Sequence, residues 1–365
     1  MTLHLYFARK FALGFAGLFA VFVLMLLLID VIEQLRRAAG RDISLAQVLE
    51  LALLNTPQGI YTMLPLIMIL STVALFLGLA RSSELVVTRA SGRSALVALV
   101  APVCVAALIG VGALAMLNPI VAATTKRFAE LDDRYRSGTV SVASISGEGL
   151  WLRQGDGAGQ TVIRVGSASP DGTVFHDVTF LSYLPGGSPT QRIEAARAEL
   201  LPDFWDIRDA KVWQLQSDIN PEATAETRAT MTLPTTLTHD NIRDSFGAPA
   251  SVSIWDLPRF IAQLQEAGFS AQRHQVWFHM ELASPLFLVA MMLIASAFTM
   301  RHVRFGKTGI AVLTAVLLGF TLYYIRNFAQ ILGENGQLPV LLAAWAPPVA
   351  AVMLGLGILL HMEDG

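Results

Sequence analysis

The chain has 365 residues, of which 54% are hydrophobic and only 15% are charged, and its formal net charge is −2. Soluble domains carry about a quarter charged residues, and nucleic-acid binding needs a concentrated basic face, so the composition excludes both classes. The single cysteine, Cys104, lies inside an apolar stretch, which excludes a disulfide or a cysteine metal cluster within the chain. These features predict an integral membrane protein with a polar insert.

Six apolar stretches are each long enough to cross a bilayer, and they divide three and three around one large polar insert. They are Phe11–Ile29, Ile60–Ala80, Ala95–Ala123, Leu282–Met300, Thr308–Leu332 and Leu338–Leu360. The first stretch is longer than the apolar core of a signal peptide and more spans follow it, so we expect a retained anchor. The expected domains are residues 1–123 (spans one to three), 124–252 (the insert), 253–281 (a helix and re-entry segment) and 282–365 (spans four to six).

A second helix is predicted between the first two spans. Ser44 and Gln47 form a capping-box pattern that opens a helix over Leu45–Asn55. Pro57 is expected to break or kink this helix before the second span. The pattern leaves open whether Leu45–Asn55 lies on the membrane surface or extends the second span.

Lysine and arginine in the short loops set the expected orientation. One side of the membrane holds eight of them, namely Arg9, Lys10, Arg81, Arg89, Arg93, Arg301, Arg304 and Lys307. The other side holds three, namely Arg36, Arg37 and Arg41. Because basic loops stay in the cytoplasm, both termini are expected to be cytoplasmic and the insert to lie outside.

The insert has the pattern of an all-β domain. Leu150–Arg153 and Thr161–Val165 alternate around a glycine-rich turn, and Val174–Leu184 and Ala210–Leu215 are further strands. An all-β sandwich or a partly open barrel is therefore expected. After it, Ser253–Gly268 has helical periodicity, with apolar residues on one face. Those residues are Leu257, Phe260, Ile261 and Leu264.

The loop after the second span, Arg81–Gly92, is unusually apolar for a short cytoplasmic loop. A serine before Glu84 can cap a short helix whose first turn carries that acid, and Gly92 can end it. We expect a helix over about 82–92 that docks into a cytoplasmic partner. A helix lying in the lipid headgroups is the alternative. The docking residues would be Glu84, Leu85, Val86, Val87, Arg89 and Gly92.

Catalytic and nucleotide-binding motifs are weak or missing in the sequence. Phe305–Thr308 resembles the end of a phosphate-binding loop, but Arg301 stands where that motif needs a glycine, and a span precedes it in place of a strand. An intramembrane hydrolase is a further alternative, without a visible nucleophile and base. The sequence therefore predicts a chain that does not itself bind ATP.

Arg36 and Arg37 stand at the outer membrane surface, against the usual charge bias. Pairing with Glu33 and Asp30 is one explanation, because Glu33 and Arg37 are four residues apart on one helix face. An anionic ligand is the other, because guanidinium groups bind phosphate through paired hydrogen bonds.

Arg326 is the second candidate for binding a ligand. It lies near the outer end of the fifth span, beside Tyr323 and Tyr324. An ionisable residue at this depth is a candidate for function, and extension of the side chain to the membrane interface is an equal alternative.

Several segments resemble the lipopolysaccharide export permeases, the LptF/LptG (YjgP/YjgQ) family. Arg81–Gly92 resembles the segment between spans two and three, and Glu33–Ala38 resembles the end of the family's first span. Gly149–Trp151 and Ala210–Trp213 are similar to strands of its outer domain, and Ala267–His274 to its re-entry into the membrane. The resemblance covers nearly the whole chain and is closer to LptG than to LptF.

The resemblance implies a permease subunit of an ATP-driven exporter in the inner membrane of a Gram-negative bacterium. LptF- and LptG-type subunits form a cavity that takes lipopolysaccharide from the outer leaflet. Two copies of a separate ATPase, LptB, bind the cytoplasmic loops and hold ATP and Mg²⁺, and the single-span LptC receives the lipid. The implied fold is six membrane helices with an inserted periplasmic β-jellyroll-like domain, and no cofactor is expected in this chain.

Within this family, Arg36, Arg37, Glu33 and Arg326 are the expected lipid-binding residues. The sequence departs from some relatives at Asp30, where a basic residue is expected, and at Arg326, where some carry an acid. The LptF-type partner is the nearest alternative. A membrane assembly or scaffold protein without an ATPase contact is the alternative from another class.

Overall fold

The computed structural model describes residues 2–39, 44–84, 95–136, 144–146, 149–156, 159–169, 173–184, 188–215, 220–235, 237–238, 248–266, 268–300 and 308–363. The chain forms two compact units. The membrane unit comprises Met1–Tyr135, Ala250–Trp255 and Gln272–Gly365. The β unit comprises Arg136–Pro249 and Asp256–Ala271.

Among the residues that the structure describes, six helical stretches are long and apolar enough to cross a membrane, which confirms the predicted six spans around an insert. The helices are α1 (Thr2–Ala38), α2 (Leu45–Arg81), α3 (Ala95–Gly112), α4 (Asn118–Arg136), α5 (Leu257–Glu266), α6 (Gln272–Thr299), α7 (Thr308–Glu334) and α8 (Val340–Glu363). The third span is composed of α3, a π-helical turn (Ala113–Leu117) and α4, and it continues well past its predicted end at Ala123. The amphipathic helix α5 belongs to the β unit.

The second span is one uninterrupted helix, α2, that begins at the predicted capping box. The Ser44 hydroxyl accepts from the Gln47 N–H, and the Gln47 side chain accepts from the Ser44 N–H. Pro57 lies inside the helix, so of the two predicted outcomes, a break or a kink, the break before the second span is wrong. Proline removes one hydrogen bond, and packing of neighbouring helices in a membrane protein compensates for that loss. Residues 45–55 therefore extend the second span.

The membrane unit packs around α6, most of whose residues are buried. Phe287, Met291 and Ile294 are among its fully buried side chains. Small residues bring neighbouring helices close, as at Gly110 of α3, which lies directly against Pro285 of α6. Helices α1 and α7 instead expose large apolar side chains along much of their length.

The described part of the insert contains one antiparallel sheet of seven strands, each paired with the next along the chain. The strands are β1 (Ser144–Ser146), β2 (Gly149–Asp156), β3 (Gly159–Ala168), β4 (Val174–Tyr183), β5 (Pro189–Leu201), β6 (Phe204–Gln214) and β7 (Glu226–Pro234). The predicted all-β insert is confirmed, and β2 and β3 form the predicted hairpin. Within the described ranges the strands form a single open sheet, in place of the two sheets of a sandwich. Strands β1, β5 and β7 were missed by the sequence pattern.

One face of the sheet forms the hydrophobic core of the β unit. Trp205 lies at its centre, with ring centroids 5.3 Å from Phe175 and 5.6 Å from Phe180 in edge-to-face arrangements. The amphipathic helix α5 packs against this face through Leu264, and Phe260 contributes at the margin. The predicted apolar face of α5 therefore covers the sheet.

The alternation of buried and exposed residues shifts by one position at the same level in four neighbouring strands. Buried residues in β3 to β6 are three apart at this level instead of two. The two flanking rows of paired residues are Val165–Val178–Ala195–Ala210 and Ala168–Phe175–Ala198–Ile207. Asp177 and Asp209, between these rows, have φ of 52° and 53°, in the left-handed region that aspartate tolerates. Each strand carries one extra residue at this level, so the pairing register is kept across this face shift.

Candidate functional site

The end of α1 presents two arginines that share one acid. Glu33 accepts hydrogen bonds from Arg36, and its Oε1 lies 2.8 Å from Arg37 Nε. The arginine side chains are 76% and 44% exposed, and that of Glu33 is 32% exposed. Ion pairs this exposed are screened by solvent and contribute little to stability. Because one carboxylate faces two guanidinium groups, this end of α1 keeps a net positive charge that an anion can reach.

Asp30 does not take part in this cluster. Its Oδ1 accepts from Asn55 Nδ2 at 2.9 Å, and its Oδ2 accepts from the Thr56 hydroxyl at 3.2 Å. Of the two acids that the local-pairing alternative named for Arg36 and Arg37, Glu33 is confirmed and Asp30 is wrong. One turn before Glu33, the Asp30 side chain meets polar residues of the neighbouring helix α2 and joins α1 to it.

Arg326 of α7 extends toward α6. Its Nη2 donates to the Met280 carbonyl at 3.2 Å, and its guanidinium lies 5.1 Å from the centre of the Phe287 ring. Arg326 Nε is buried and has no hydrogen-bond partner among the described residues. An unused buried donor is costly unless an acceptor reaches it, which makes the half-buried Arg326 a candidate for binding a ligand.

A cavity of about 340 Å³ lies beside Arg326. Its lining includes Tyr61, Trp277, Glu281, Tyr323, Arg326 and Gln330. Trp277 Nε1 is, like Arg326 Nε, buried without a partner in the described part of the chain. Both nitrogen atoms are covered by neighbouring protein atoms, so a ligand rich in acceptor oxygens reaches them only if these side chains shift.

Glu281 of α6 lies at the same cavity and is only 2% exposed. Its carboxylate accepts a hydrogen bond from the Tyr61 hydroxyl of α2 and another, at 3.2 Å, from Asn118 Nδ2 at the start of α4. Burying a carboxylate is costly unless donors satisfy it, and these two donors come from different spans. The polar cluster therefore joins the second, third and fourth spans inside the membrane unit.

A π-helical turn brings Asn118 to this cluster. Pro119 has no N–H, so the Ala115 carbonyl four residues earlier lacks its usual helical donor. Trp255 Nε1 donates to that carbonyl at 3.3 Å. The Ile254 N–H donates to Asn118 Oδ1 at 3.0 Å, which leaves Asn118 Nδ2 directed at Glu281. Single π-helical turns are frequent at functional sites because they redirect side chains in this way.

Glu84 begins the loop that the sequence predicts to be a docking helix. Lys10 Nζ lies 3.0 Å from Glu84 Oε1, and the Ser82 hydroxyl donates to the same oxygen at 2.7 Å. Partial burial opposes ionisation of Glu84, but the hydrogen bonds from Ser82 and Lys10 outweigh it and lower the pKa of the carboxyl. The other predicted docking residues, Leu85, Val86, Val87, Arg89 and Gly92, lie outside the described residues.

Residues 5–361 match the family of lipopolysaccharide export system permeases LptF/LptG. The chain belongs to this family. It is similar to the lipopolysaccharide export system permease protein LptG of Haemophilus influenzae, with 24% identity over 343 residues that cover 90% of this chain and 89% of the relative. The LptG protein of Escherichia coli strain K12 is 23% identical over 342 residues, which cover 92% of this chain and 91% of that protein.

In this LptF/LptG family member the predicted site residues fall into separate groups. Glu33, Arg36 and Arg37 form one cluster, whereas Arg326 lies in the cavity with Glu281. The sequence pattern missed Glu281, because it ended the polar insert at that residue and began the fourth span at Leu282. Helical periodicity extended back from the span would have placed this acid inside the helix. The region of the expected incomplete phosphate loop, 301–307, lies outside the described residues.

Proposed function

We propose that this chain is the LptG-type permease subunit of an ATP-driven exporter. In this proposal the exporter extracts lipopolysaccharide from the outer leaflet of the inner membrane and passes it to a periplasmic bridge. The family match over residues 5–361 carries the proposal, because it reaches all six candidate membrane helices and the inserted sheet. Both relatives described above are LptG proteins, which favours the LptG type over the LptF type.

The distribution of basic residues supports an orientation with both termini in the cytoplasm and the β unit in the periplasm. In that orientation the cluster of Glu33, Arg36 and Arg37 faces the outer leaflet. The loop that begins at Glu84 faces the cytoplasm. The two candidate regions then lie on opposite sides of the membrane, one toward the lipid and one toward the ATPase.

Lipid capture is assigned to the arginines. Arg36 and Arg37 are exposed and together exceed the charge of their shared partner Glu33, so a phosphate group of the lipid can replace that carboxylate as acceptor. Arg326 and the cavity beside it would bind a further phosphate or sugar oxygen through the unused donors. A guanidinium binds phosphate in a bidentate manner, which suits this role.

Coupling to ATP hydrolysis is assigned to the loop over about 82–92. Two copies of an LptB-type ATPase would hold ATP and Mg²⁺, and one copy would receive this helix, with Glu84 setting its register. This chain would have no catalytic role. An LptF-type subunit would complete the lipid cavity, and the exposed apolar faces of α1 and α7 are available to it. A single-span LptC-type protein would receive the lipid.

The test uses the tagged chain purified with its LptB-, LptF- and LptC-type partners and reconstituted in proteoliposomes. Arg36→Glu combined with Arg37→Glu should lower lipopolysaccharide crosslinking at α1, and ATP-dependent export, by at least about tenfold, because charge-assisted hydrogen bonds to phosphate are lost. The complex should still assemble and its basal ATPase activity should persist, since the nucleotide sites belong to another chain.

The control makes the same two arginine-to-glutamate changes in the β unit. Arg208→Glu with Arg228→Glu alters two exposed arginines of the β unit, each paired with an acid two residues earlier, as at Asp206 and Glu226. Crosslinking at α1 should stay at the wild-type level in this control. Failure of the chain to co-purify with any ATPase would contradict the proposed function. Unchanged crosslinking in the Arg36→Glu, Arg37→Glu variant would contradict only the assignment of lipid capture to these arginines.

A further inference from the structure

The cavity beside α6 is lined by one carboxylate and one guanidinium. Each of these groups forms hydrogen bonds with different partners. Glu281 accepts from Tyr61 and Asn118, whereas Arg326 donates to the carbonyl of Met280, the residue before Glu281. Both charged side chains line the cavity. With both groups ionised the cavity is balanced in charge, and the acid and the base lie on neighbouring helices.

We propose that Glu281 is a positioning residue that limits how tightly Arg326 binds a phosphate group of the transported lipid, with the Tyr61 hydrogen bond setting that limit. The inference rests on the proposed function, since it takes a lipid phosphate as the ligand. It assigns a role to an acidic residue, Glu281, in a site whose other ligand-directed groups are donors.

The guanidinium of Arg326, which lines the cavity, explains why a phosphate would enter. Arg326 Nε and Trp277 Nε1 are both buried without partners in the part of the chain that the structure describes, and a shift of these side chains would offer both donors to phosphate oxygens. Inside a protein each such hydrogen bond is stronger than in water. Binding by Arg326 alone would then be tight, and a transported lipid has to leave as well as enter.

Glu281 supplies the opposing interaction. Its negative charge repels an entering phosphate and attracts the same guanidinium, so the ligand and Glu281 compete for Arg326. Transport pathways need sites that bind well enough to admit the ligand and weakly enough to release it. A fixed acid beside the binding cation meets both requirements without any change in the cation itself.

Tyr61 controls how strongly Glu281 competes. Its hydroxyl donates to the carboxylate together with Asn118 Nδ2, and these two hydrogen bonds hold the acid away from a direct ion pair with Arg326. Without the hydrogen bond from Tyr61, the Glu281 carboxylate would accept a hydrogen bond from another donor. The Arg326 guanidinium is the strong hydrogen-bond donor nearby. Removing the hydroxyl and removing the acid should therefore shift phosphate binding in opposite directions.

The test measures phosphate selectivity in the assembled complex in lipid nanodiscs. Lipopolysaccharide and the same lipopolysaccharide without its lipid phosphates are titrated in parallel, and the ratio of their dissociation constants is the readout. Glu281→Gln keeps an oxygen acceptor for Tyr61 while it removes the charge, and should raise the selectivity by about tenfold. Tyr61→Phe should lower the selectivity severalfold. Arg326→Gln should lower it further, and Glu281→Gln should add nothing in that background.

A structural role for Glu281 would weaken the binding of both lipids in both variants and leave their ratio unchanged, and that result would overturn the proposal. If the Glu281→Gln variant does not assemble into the complex, the Tyr61→Phe variant tests the proposal. An unchanged or raised ratio of dissociation constants in Tyr61→Phe would count against the inference. Inorganic phosphate that competes as well as the lipid would indicate a free-anion site and overturn the lipid assignment. A wild-type complex that binds neither lipid contradicts the proposed function itself, whereas lipid binding insensitive to Glu281 contradicts only this inference.

Discussion

Gly110 allows α3 to lie directly against Pro285 of α6. A Cβ atom added at Gly110 would be 2.6 Å from Pro285 Cα and 2.9 Å from Pro285 Cβ, whereas ordinary contacts are 3.4–4 Å. The Cα atom belongs to the backbone, so no side-chain rotation can relieve the overlap. Gly110→Ala should therefore force α3 and α6 apart.

The size of the effect follows from two opposing terms. Overpacking in a well-packed core costs about 1–3 kcal/mol, and replacing glycine by alanine in a helix returns up to about 1 kcal/mol. The net loss should be about 1–2 kcal/mol, which lowers the melting temperature by about 1–3 °C in a protein of this size. Gly112→Ala is the matched control, because an added Cβ there has nothing within 4 Å. It should leave the melting temperature unchanged or raise it.

The assay is thermal unfolding of the two variants in detergent, followed by tryptophan fluorescence. Phosphate selectivity is a second readout, because Pro285 lies one turn after Glu281 and Ala113 of the third span also lines the cavity. Separation of the helices should widen the cavity and lower the selectivity in Gly110→Ala alone. Equal melting temperatures in Gly110→Ala and Gly112→Ala would refute this account of the packing.

Two further outcomes follow from the charged groups on either side of the membrane unit. Glu33→Gln should free both arginines at the end of α1 and increase lipopolysaccharide crosslinking by about two- to fivefold at low salt, with less effect at high salt. The control is Glu50→Gln, which changes an exposed acid near the start of α2 and should have no effect on crosslinking. Leu85→Asp should reduce recovery of the ATPase in pull-downs, because burying a leucine side chain contributes about 1.5–3 kcal/mol and a charge replaces it. Ser83→Asp is the control, because aspartate tolerates the positive φ of 59° at that position. Equal recovery of the ATPase with both variants would favour a helix that lies in the lipid headgroups.

Features that depend on local or periodic patterns could be predicted from the sequence. The six spans follow from runs of apolar residues, and the start of α2 follows from the reciprocal hydrogen bonds of Ser44 and Gln47. The apolar face of α5 follows from the helical spacing that ends at Leu264. Each signal lies within a few turns of the chain.

Features that depend on tertiary contacts could not be predicted in this way. Pro57 lowers local helix propensity, but packing of neighbouring spans keeps α2 continuous. Glutamate is a residue type that is common in polar loops. Only contacts with Tyr61 and Asn118, which are far away in the sequence, allow Glu281 to be buried. Asp30 likewise lies one turn from Glu33 in the sequence, yet it finds its partners on α2. The sequence identifies such charges without identifying their partners.

The face shift in the β unit constrains how this sheet can change length. Deleting a single residue such as Asp177 from one strand would restore simple alternation in that strand, but it would shift the strand's pairing register by one residue against both neighbours on one side of this level. Insertions and deletions should therefore be tolerated in the turns between strands but not at this level. The four strands β3 to β6 would have to gain or lose the residue together, so their lengths are expected to vary as one unit.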